Sequence, residues 1–203
     1  MSDRAVATPP KRMSVDEFWE FVNRPEHANR TFELRRGEVI EMSRPTSPHG
    51  IVSSAIATEL TLYSRRVARG FVTSNDAGVV LSEKPGTVVG PDVAYFTDVN
   101  TFDDVTPKWS EAPLLAVEVL SPNDKMSEVN EKIQEYLVGG VKVVWLADYE
   151  QKKVTVYRPD RVHTVLKGES ELTGGDELPG FACCVADLFR LPGDRKPAQP
   201  PAA

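Results

Sequence analysis

An acidic residue inside an apolar run is the first sign of chemistry in this sequence. Glu118 lies within Leu114–Leu120, a segment in which all the remaining residues are apolar. Runs of this kind are typical of strands that are buried on both faces, where an ionised carboxylate is costly unless it is paired or binds a cation. Three explanations remain open for Glu118: an ion pair with an arginine or lysine, an exposed strand end, or a metal ligand.

A second carboxylate stands at the beginning of another apolar segment. Asp92 follows Gly90 and Pro91, and the apolar residues Val-Ala-Tyr-Phe follow it. A Pro-Asp pair is common in turns, so Asp92 alone is weak evidence for a functional site. Together with Glu118 on a nearby strand, it provides two hard oxygen ligands of the kind that Mg²⁺ or Mn²⁺ prefers. Such an ion lowers the pKa of a bound water and stabilises negative charge on a phosphoryl group.

A lysine at the edge of a helical face is the third candidate. The apolar spacing predicts a helix over residues 125–138, in which Lys132 lies beside Val129 and Tyr136. Lys125 lies seven residues earlier on the same side. Lys132 either extends its ammonium group from an apolar surface into solvent, or places a cation near the scissile phosphate.

Other kinds of site find little support in the residues. The three histidines and two cysteines form no cluster with zinc-ligand spacing, and no phosphate-cradling or dinucleotide-binding glycine motif is present. His49, in a Pro-His-Gly loop, is by default a solvated histidine. Cys183 and Cys184 are adjacent and would point to opposite faces of a strand, so we expect small buried hydrophobic residues rather than a disulfide.

The charge balance limits the kind of partner that this chain can bind. Its 203 residues include 24 Lys and Arg and 30 Asp and Glu, a formal net charge of −6. This excludes a general nucleic-acid binder that relies on bulk positive charge, but not one that uses a local basic surface or a metal ion. The sequence predicts no signal peptide and no membrane span, so we expect a cytoplasmic protein with reduced cysteines.

Hydrophobic periodicity predicts a mixed α+β fold with a central mixed sheet flanked by helices. One helix is expected after Ser14, which forms a capping box with Glu17. Further helices are predicted at 51–69 and 125–138, and strands at 31–36, 38–42, 71–74, 78–81, 93–96, 114–120, 142–147, 153–158 and 161–166. Loops are predicted at 97–113 and 169–177. We expect one domain over residues 13–192, between disordered segments at 1–12 and 193–203.

Seven short segments, taken in order, carry a family resemblance. They are MSVDEF at 13–18, FELRRGE at 32–38, SPH at 47–49, GPDVA at 90–94, VEVLSP at 117–122, KIQEY at 132–136 and VWLAD at 144–148. This series resembles the Uma-two family, restriction-endonuclease-like proteins within the PD-(D/E)XK nuclease superfamily. The resemblance covers roughly residues 13–190, and it implies a restriction-endonuclease-like core that is usually homodimeric.

The resemblance also implies roles for three acids. The divalent metal would be held by Asp92 and Glu118, and Glu33 would be the upstream acidic residue of the site, holding a water or a second metal. From the residues alone, Glu33 alternates with apolar neighbours and is expected on an exposed strand face.

The lysine that the resemblance implies does not occupy the standard position. In the standard superfamily pattern a lysine follows the second acid by two positions, whereas this chain has Leu120 there. The family pattern implies that the helix supplies the lysine instead, as Lys132, with Lys125 as a rival. Tyr136 and His49 also match family positions without an assigned role.

These assignments predict a Mg²⁺- or Mn²⁺-dependent endonuclease that hydrolyses DNA phosphodiester bonds with a metal-activated water. We expect a homodimer without an organic cofactor. The alternative is a catalytically inactive nuclease-fold protein that acts as a binding or regulatory module, which the acidic balance and Leu120 favour. A nuclease that acts on RNA, or on branched or damaged DNA, is a third interpretation that the sequence leaves open.

Overall fold

The computed structural model describes residues 12–99, 101–159 and 161–194. In these residues the chain forms three α-helices and twelve strands. The helices are α1 (Val15–Val22), α2 (Ser47–Val67) and α3 (Met126–Val138). The strands are β1 (Thr31–Arg35), β2 (Glu38–Met42), β3 (Phe71–Ser74), β4 (Val79–Glu83), β5 (Gly86–Val89), β6 (Val93–Phe96), β7 (Leu115–Val119), β8 (Val143–Asp148), β9 (Lys153–Arg158), β10 (Arg161–Lys167), β11 (Glu171–Gly174) and β12 (Leu178–Cys184).

The largest sheet has six strands in the order β10-β9-β8-β7-β6-β3. Strands β7 and β8 are parallel, and the other neighbours in this sheet are antiparallel. A parallel pair needs a crossover connection, and α3 provides it between β7 and β8. A four-stranded antiparallel sheet has the order β2-β1-β5-β4, and β11 pairs with β12. The predicted α+β class, with a mixed sheet flanked by helices, is confirmed.

Strand alternation divides the six-stranded sheet between two helices. Val93, Val117 and Trp145 pack with the apolar side of α2 on one face. Ala116 and Val144, which alternate with them, pack on the other face with the apolar residues of α3. Each face is therefore covered by one helix, and a side chain at position 118 must point toward α3.

The four-stranded sheet is covered by α1. Ser14 and Glu17 form the predicted capping box, with the backbone N–H of Glu17 3.2 Å from Ser14 Oγ and the backbone N–H of Ser14 2.9 Å from a Glu17 carboxylate oxygen. Phe18 of this helix packs with Leu34 and Val88 in a separate apolar cluster. Because Leu34 points toward α1, the preceding Glu33 points away from it.

Four elements differ from the sequence predictions, and β12, which none of the predicted strands covers, is one of them. Helix α2 begins at Ser47, four residues earlier than predicted. Pro48 is predicted in a loop, but a proline in the first helical turn removes no intrahelical hydrogen bond and is compatible with the helix. Strand β5 was not predicted, since the glycines on either side of its short apolar segment are typical of turns. Strand β11 falls in the stretch predicted as a loop, where the fully buried Leu172 alternates with exposed residues.

The cysteines lie at the end of β12 as free thiols, and each is half-buried rather than fully buried as predicted. The predicted disordered segments lie outside the described residues, except for Arg12, Gly193 and Asp194; the last two belong to a short 3₁₀ turn. In the part of the chain that the structure describes, no helix is long and apolar enough to cross a membrane.

Candidate active site

Asp92 and Glu118 face each other across β6 and β7. The antiparallel register pairs Val93 with Val117, and its continuation places Asp92 opposite Glu118. Because Val93 and Val117 point toward α2, their neighbours Asp92 and Glu118 both point toward α3. Directly opposed side chains of an antiparallel pair have Cβ atoms about 5 Å apart. Asp92 is held in place by the backbone N–H of Val119, which donates to its Oδ2 at 2.7 Å.

Helix α3 presents two polar groups to Glu118. Lys132 and Tyr136 are four residues apart and therefore lie on the same side of the helix. The Lys132 Nζ lies 3.0 Å from Glu118 Oε2, and the Tyr136 hydroxyl donates to Glu118 Oε1 at 2.5 Å. The ion-pair explanation for Glu118 thus holds, but the partner is the lysine that the resemblance assigned to the site. Lys125 caps α3, is 75% exposed and pairs with Glu128.

Glu33, on β1 of the four-stranded sheet, also contacts Lys132. Its Oε1 lies 2.9 Å from Lys132 Nζ and accepts a hydrogen bond from the backbone N–H of Gly90 at 3.0 Å. The residue is only 3% exposed, so the expectation of an exposed strand face was wrong. The face of β1 opposite α1 is covered by the packing of the two sheets, and this packing could not be predicted from the alternation of β1 itself.

His49 is a site residue rather than the solvated histidine expected by default. It lies in the first turn of α2, is 8% exposed, and places Nε2 3.2 Å from Asp92 Oδ2. The hydrogen bond with Asp92 raises the pKa of His49; burial opposes the rise, and the charges of Asp92, Glu118 and Asp76 add to it.

Asp76 is a fourth acid of the site that the sequence reasoning missed. It follows β3 in a turn where Asn75 and Asp76 both have positive φ, 63° and 56°. A Cβ atom on Gly90 would lie 2.9 Å from the Asp76 Cβ, so Gly90 lets the turn approach the segment that carries Asp92. Burial, followed by the charge of Asp92, raises the pKa of Asp76. An Asn-Asp pair after a strand is typical of a turn, and no spacing in the sequence connects it with the other acids.

Together these side chains surround a cavity of about 120 Å³. Its charged lining consists of five carboxylates, Glu33, Asp76, Asp92, Glu118 and Asp124, and two basic side chains, His49 and Lys132. All four predicted site residues therefore meet in one place, joined by three that were not assigned a role, His49, Asp76 and Asp124.

The electrostatics of the cavity favour an added cation. Burial is the main cause that raises the pKa of Glu118 to about 7, and the charges of Asp92 and Glu33 add to the rise. The charge of Lys132 and the hydrogen bond from Tyr136 oppose it. Burial alone would lower the pKa of Lys132, but Glu118 and Glu33 outweigh that effect and raise it above its ordinary value. Lys132 is therefore a cation, and the five carboxylates of the cavity still outnumber its two basic side chains.

The donor set fits a hard divalent cation. Among the described residues, no three or more His, Cys, Asp and Glu side chains are grouped to hold a metal ion. Mg²⁺, however, is commonly bound through one or two carboxylates, with waters and substrate phosphates completing its shell. Asp92 and Glu118 are such a pair. Each Glu118 oxygen accepts one hydrogen bond from Lys132 or Tyr136, and a carboxylate oxygen has about two acceptor positions, so each can also face a cation.

Replacing Tyr136 with Phe should destabilise the metal-free protein by about 1.5–3 kcal/mol, the usual contribution of a hydrogen bond to a charged group. The substitution keeps the packing of the ring and removes only the hydroxyl that donates to buried Glu118. Urea denaturation measures the change. Tyr149→Phe, at a half-buried tyrosine outside the cavity, is the matched control and should change stability by less than about 0.5 kcal/mol. Equal effects of the two variants would contradict this role for Tyr136.

Comparisons with known proteins identify the family and the fold of this chain. A family model described as "Uma2: Putative restriction endonuclease" matches residues 17–187. The crystal structure of a "putative nuclease belonging to DUF820" from Anabaena variabilis ATCC 29413 superposes with a TM-score of 0.74 at 20% identity, covering 87% of this chain and 97% of that one. At this identity the likeness concerns the fold. Among curated proteins, none matches this chain. Because the family match spans most of the sequence, the chain belongs to the Uma2 family of putative restriction endonucleases.

Proposed function

We propose that this protein is a Mg²⁺- or Mn²⁺-dependent endonuclease that hydrolyses DNA phosphodiester bonds by attack of a water molecule. The observation that supports this most strongly is the convergence of Glu33, Asp92, Glu118 and Lys132 on one cavity from two sheets and a helix. The description of the family supports a nuclease.

Asp92 and Glu118 are the residues that would hold the metal ion. When bound, such an ion lowers the pKa of a water ligand and stabilises charge on a phosphoryl oxygen. The chain's part is to fix the two carboxylates beforehand. The Val119 N–H and His49 orient Asp92, and the Tyr136 hydroxyl orients Glu118. Such orienting contacts typically change metal affinity or activity by about 10- to 100-fold when removed.

Lys132 provides the positive charge closest to the carboxylates. Its ammonium group is held between Glu118 and Glu33, and from there it orients the attacking water or stabilises charge on the phosphate. Glu33 acts through neighbouring residues. Its Oε1 atom contacts both Lys132 and the backbone N–H of Gly90, and Gly90 lies two residues before Asp92. Glu33 is therefore a positioning residue in this proposal, instead of the holder of a water or second metal that the resemblance implied.

One observation favours the alternative of a catalytically inactive binding module. Lys132 lies within 3.0 Å of both Glu33 and Glu118, so each of these two acids has a cationic partner without an added metal ion. Calorimetric titration with Mn²⁺ separates the two functions. The nuclease should bind the ion in a manner that depends on Asp92 and Glu118, whereas an inactive module should not.

Nicking of a supercoiled plasmid tests the proposed activity directly. With Mg²⁺ or Mn²⁺ the wild-type protein should convert supercoiled DNA to the open circle, and EDTA or Asp92→Ala should prevent it. Asp103→Ala, at an exposed aspartate in a 3₁₀ turn, is the matched control and should cut as the wild type does. Intact DNA in every wild-type reaction, or equal cutting by Asp92→Ala, would disprove the assignment. Single-stranded RNA and branched DNA are assayed in parallel, and light scattering tests the expected homodimer.

A further inference from the structure

Two grooves lead away from the site, and they differ in charge. The first, here called the α3 groove, has a volume of about 620 Å³ and is lined by β1, β2, β7 and α3. Seven carboxylates and five Arg or Lys side chains line it, so its net charge is negative. The second, here called the α2 groove, has a volume of about 440 Å³ and runs along α2 from Asp92 and His49. Its only carboxylates among the described residues are Asp76 and Asp92, at the site end.

The wall of the α2 groove consists mainly of hydroxyl groups and ends at an arginine. Ser54, Thr58, Thr61 and Arg65 are spaced by three or four residues, so they lie on one side of the helix, and Ser53 lies beside them. Thr58 donates to the Ser54 carbonyl at 2.8 Å, but a hydroxyl can rotate and donate to another acceptor. Neutral hydroxyls and arginines are groups that proteins commonly use to contact phosphate oxygens of nucleic acids.

We propose that the α2 groove holds the sugar-phosphate backbone of the substrate, which runs from the cavity at Asp92 to Arg65. This inference rests on the proposed nuclease function and adds the path of the substrate. The α3 groove is the less suitable path, because carboxylates that repel phosphates are spread along it, whereas those of the α2 groove lie only at the site end. Arg65 lies 16 positions after His49 and therefore about 24 Å along the helix, which corresponds to roughly seven base pairs along a duplex. Contacts of this kind read no bases, so this surface binds DNA without sequence preference.

A second copy of the chain is the competing occupant of this surface. Leu62 lines the groove and is 55% exposed, and an exposed apolar side chain is compatible with a subunit interface. The neighbouring groove residues are hydroxyl-bearing or charged, however, whereas the core of a homodimer interface is more apolar than the rest of the surface. The composition therefore favours a phosphate backbone.

Two substitutions in the groove test the path. Arg65→Gln should lower the slope of log Kd against log salt by about 0.9, the value expected for one lost phosphate contact. Thr58→Glu places a negative charge midway along the groove and should weaken binding of a fluorescent DNA duplex by at least about tenfold, measured by anisotropy with Ca²⁺ present. Both residues are exposed, so the melting temperature should stay unchanged. Arg66→Gln on the same helix and Thr164→Glu on β10 are matched controls outside the groove, and both should bind DNA as the wild type does.

The inference is overturned if the wild type does not bind DNA, or if the groove variants bind it as their controls do. It is also overturned if Arg65→Gln or Thr58→Glu converts a dimer to monomers, seen by light scattering, and leaves the DNA affinity unchanged. Failure of the nuclease proposal looks different. In that case the groove variants lose DNA binding as expected, while the wild type leaves the bound DNA intact.

Discussion

Lys132→Met should abolish most nicking and destabilise the fold in a single substitution. The ammonium group lies 2.9 Å from Glu33 and 3.0 Å from Glu118, and all three side chains are at most 15% exposed. Removing one partner of a buried ion pair typically costs about 3–5 kcal/mol, because the remaining charge is left uncompensated. Loss of a preorganised positive group beside a reacting phosphate should lower the nicking rate by about 10²- to 10³-fold.

Urea denaturation and plasmid nicking measure these two effects separately. Mn²⁺ should stabilise Lys132→Met more than it stabilises the wild type, since a divalent cation replaces part of the missing charge. Lys132→Arg keeps the charge and guards against a variant that fails to fold. Lys125→Met is the matched control: its ammonium group is exposed and pairs with Glu128 on the surface, so stability should stay close to that of the wild type. Normal nicking by Lys132→Met, or a large loss with Lys125→Met, would show that the active-site lysine is assigned wrongly.

Glu118→Gln should abolish activity while it leaves the fold almost unchanged. Burial raises the pKa of Glu118 to about 7, so its charged form is already poorly accommodated in the metal-free protein. A neutral glutamine has the same shape: its amide oxygen can accept from Lys132 while its NH2 group donates to the Tyr136 hydroxyl oxygen, and Lys132 keeps its contact with Glu33. We therefore expect stability at pH 7 to change by about 1 kcal/mol or less. A carboxamide is a much weaker ligand for Mg²⁺ than a carboxylate, so nicking should fall by at least about 10³-fold.

Calorimetry with Mn²⁺ shows whether the lost activity comes from lost metal binding. The affinity of Glu118→Gln should decrease by at least about 100-fold. Glu128→Gln, at an exposed glutamate on α3, is the matched control and should bind metal and cut DNA as the wild type does. If Glu118→Gln binds Mn²⁺ normally, then Glu118 is not a metal ligand and the site works in another way.

The parts of the site that could be predicted are those in which one residue conflicts with its local pattern. Glu118 stands out because it interrupts an apolar strand, and Lys132 because it lies at the edge of a helical apolar face. Strand alternation then requires Glu118 to face α3, and helical spacing brings Lys132 and Tyr136 to it. These contacts follow from local periodicity once the order of the elements is known.

The parts that could not be predicted depend on how the two sheets meet. Glu33 fits its own strand as an exposed residue, and only the packing of β1 against the segment at Gly90 buries it. Asp76 lies in a turn with positive φ whose distance from Asp92 depends on Gly90 having no side chain. Strand β5 was missed partly for the same reason: its hairpin with β4 is local, but its pairing with β1 joins Leu34 to Val88, which are distant in the chain.

The position of Lys132 between Glu33 and Glu118 has a consequence for the kinetics of folding. Glu33 belongs to the four-stranded sheet and Glu118 to the six-stranded sheet, and 85 residues separate them in the chain. Contacts across such long loops carry a large closure entropy, so they form late in folding, after the hairpins and helices. We therefore expect the cavity to be completed only when the two sheets come together, so that a partly folded chain lacks the assembled site.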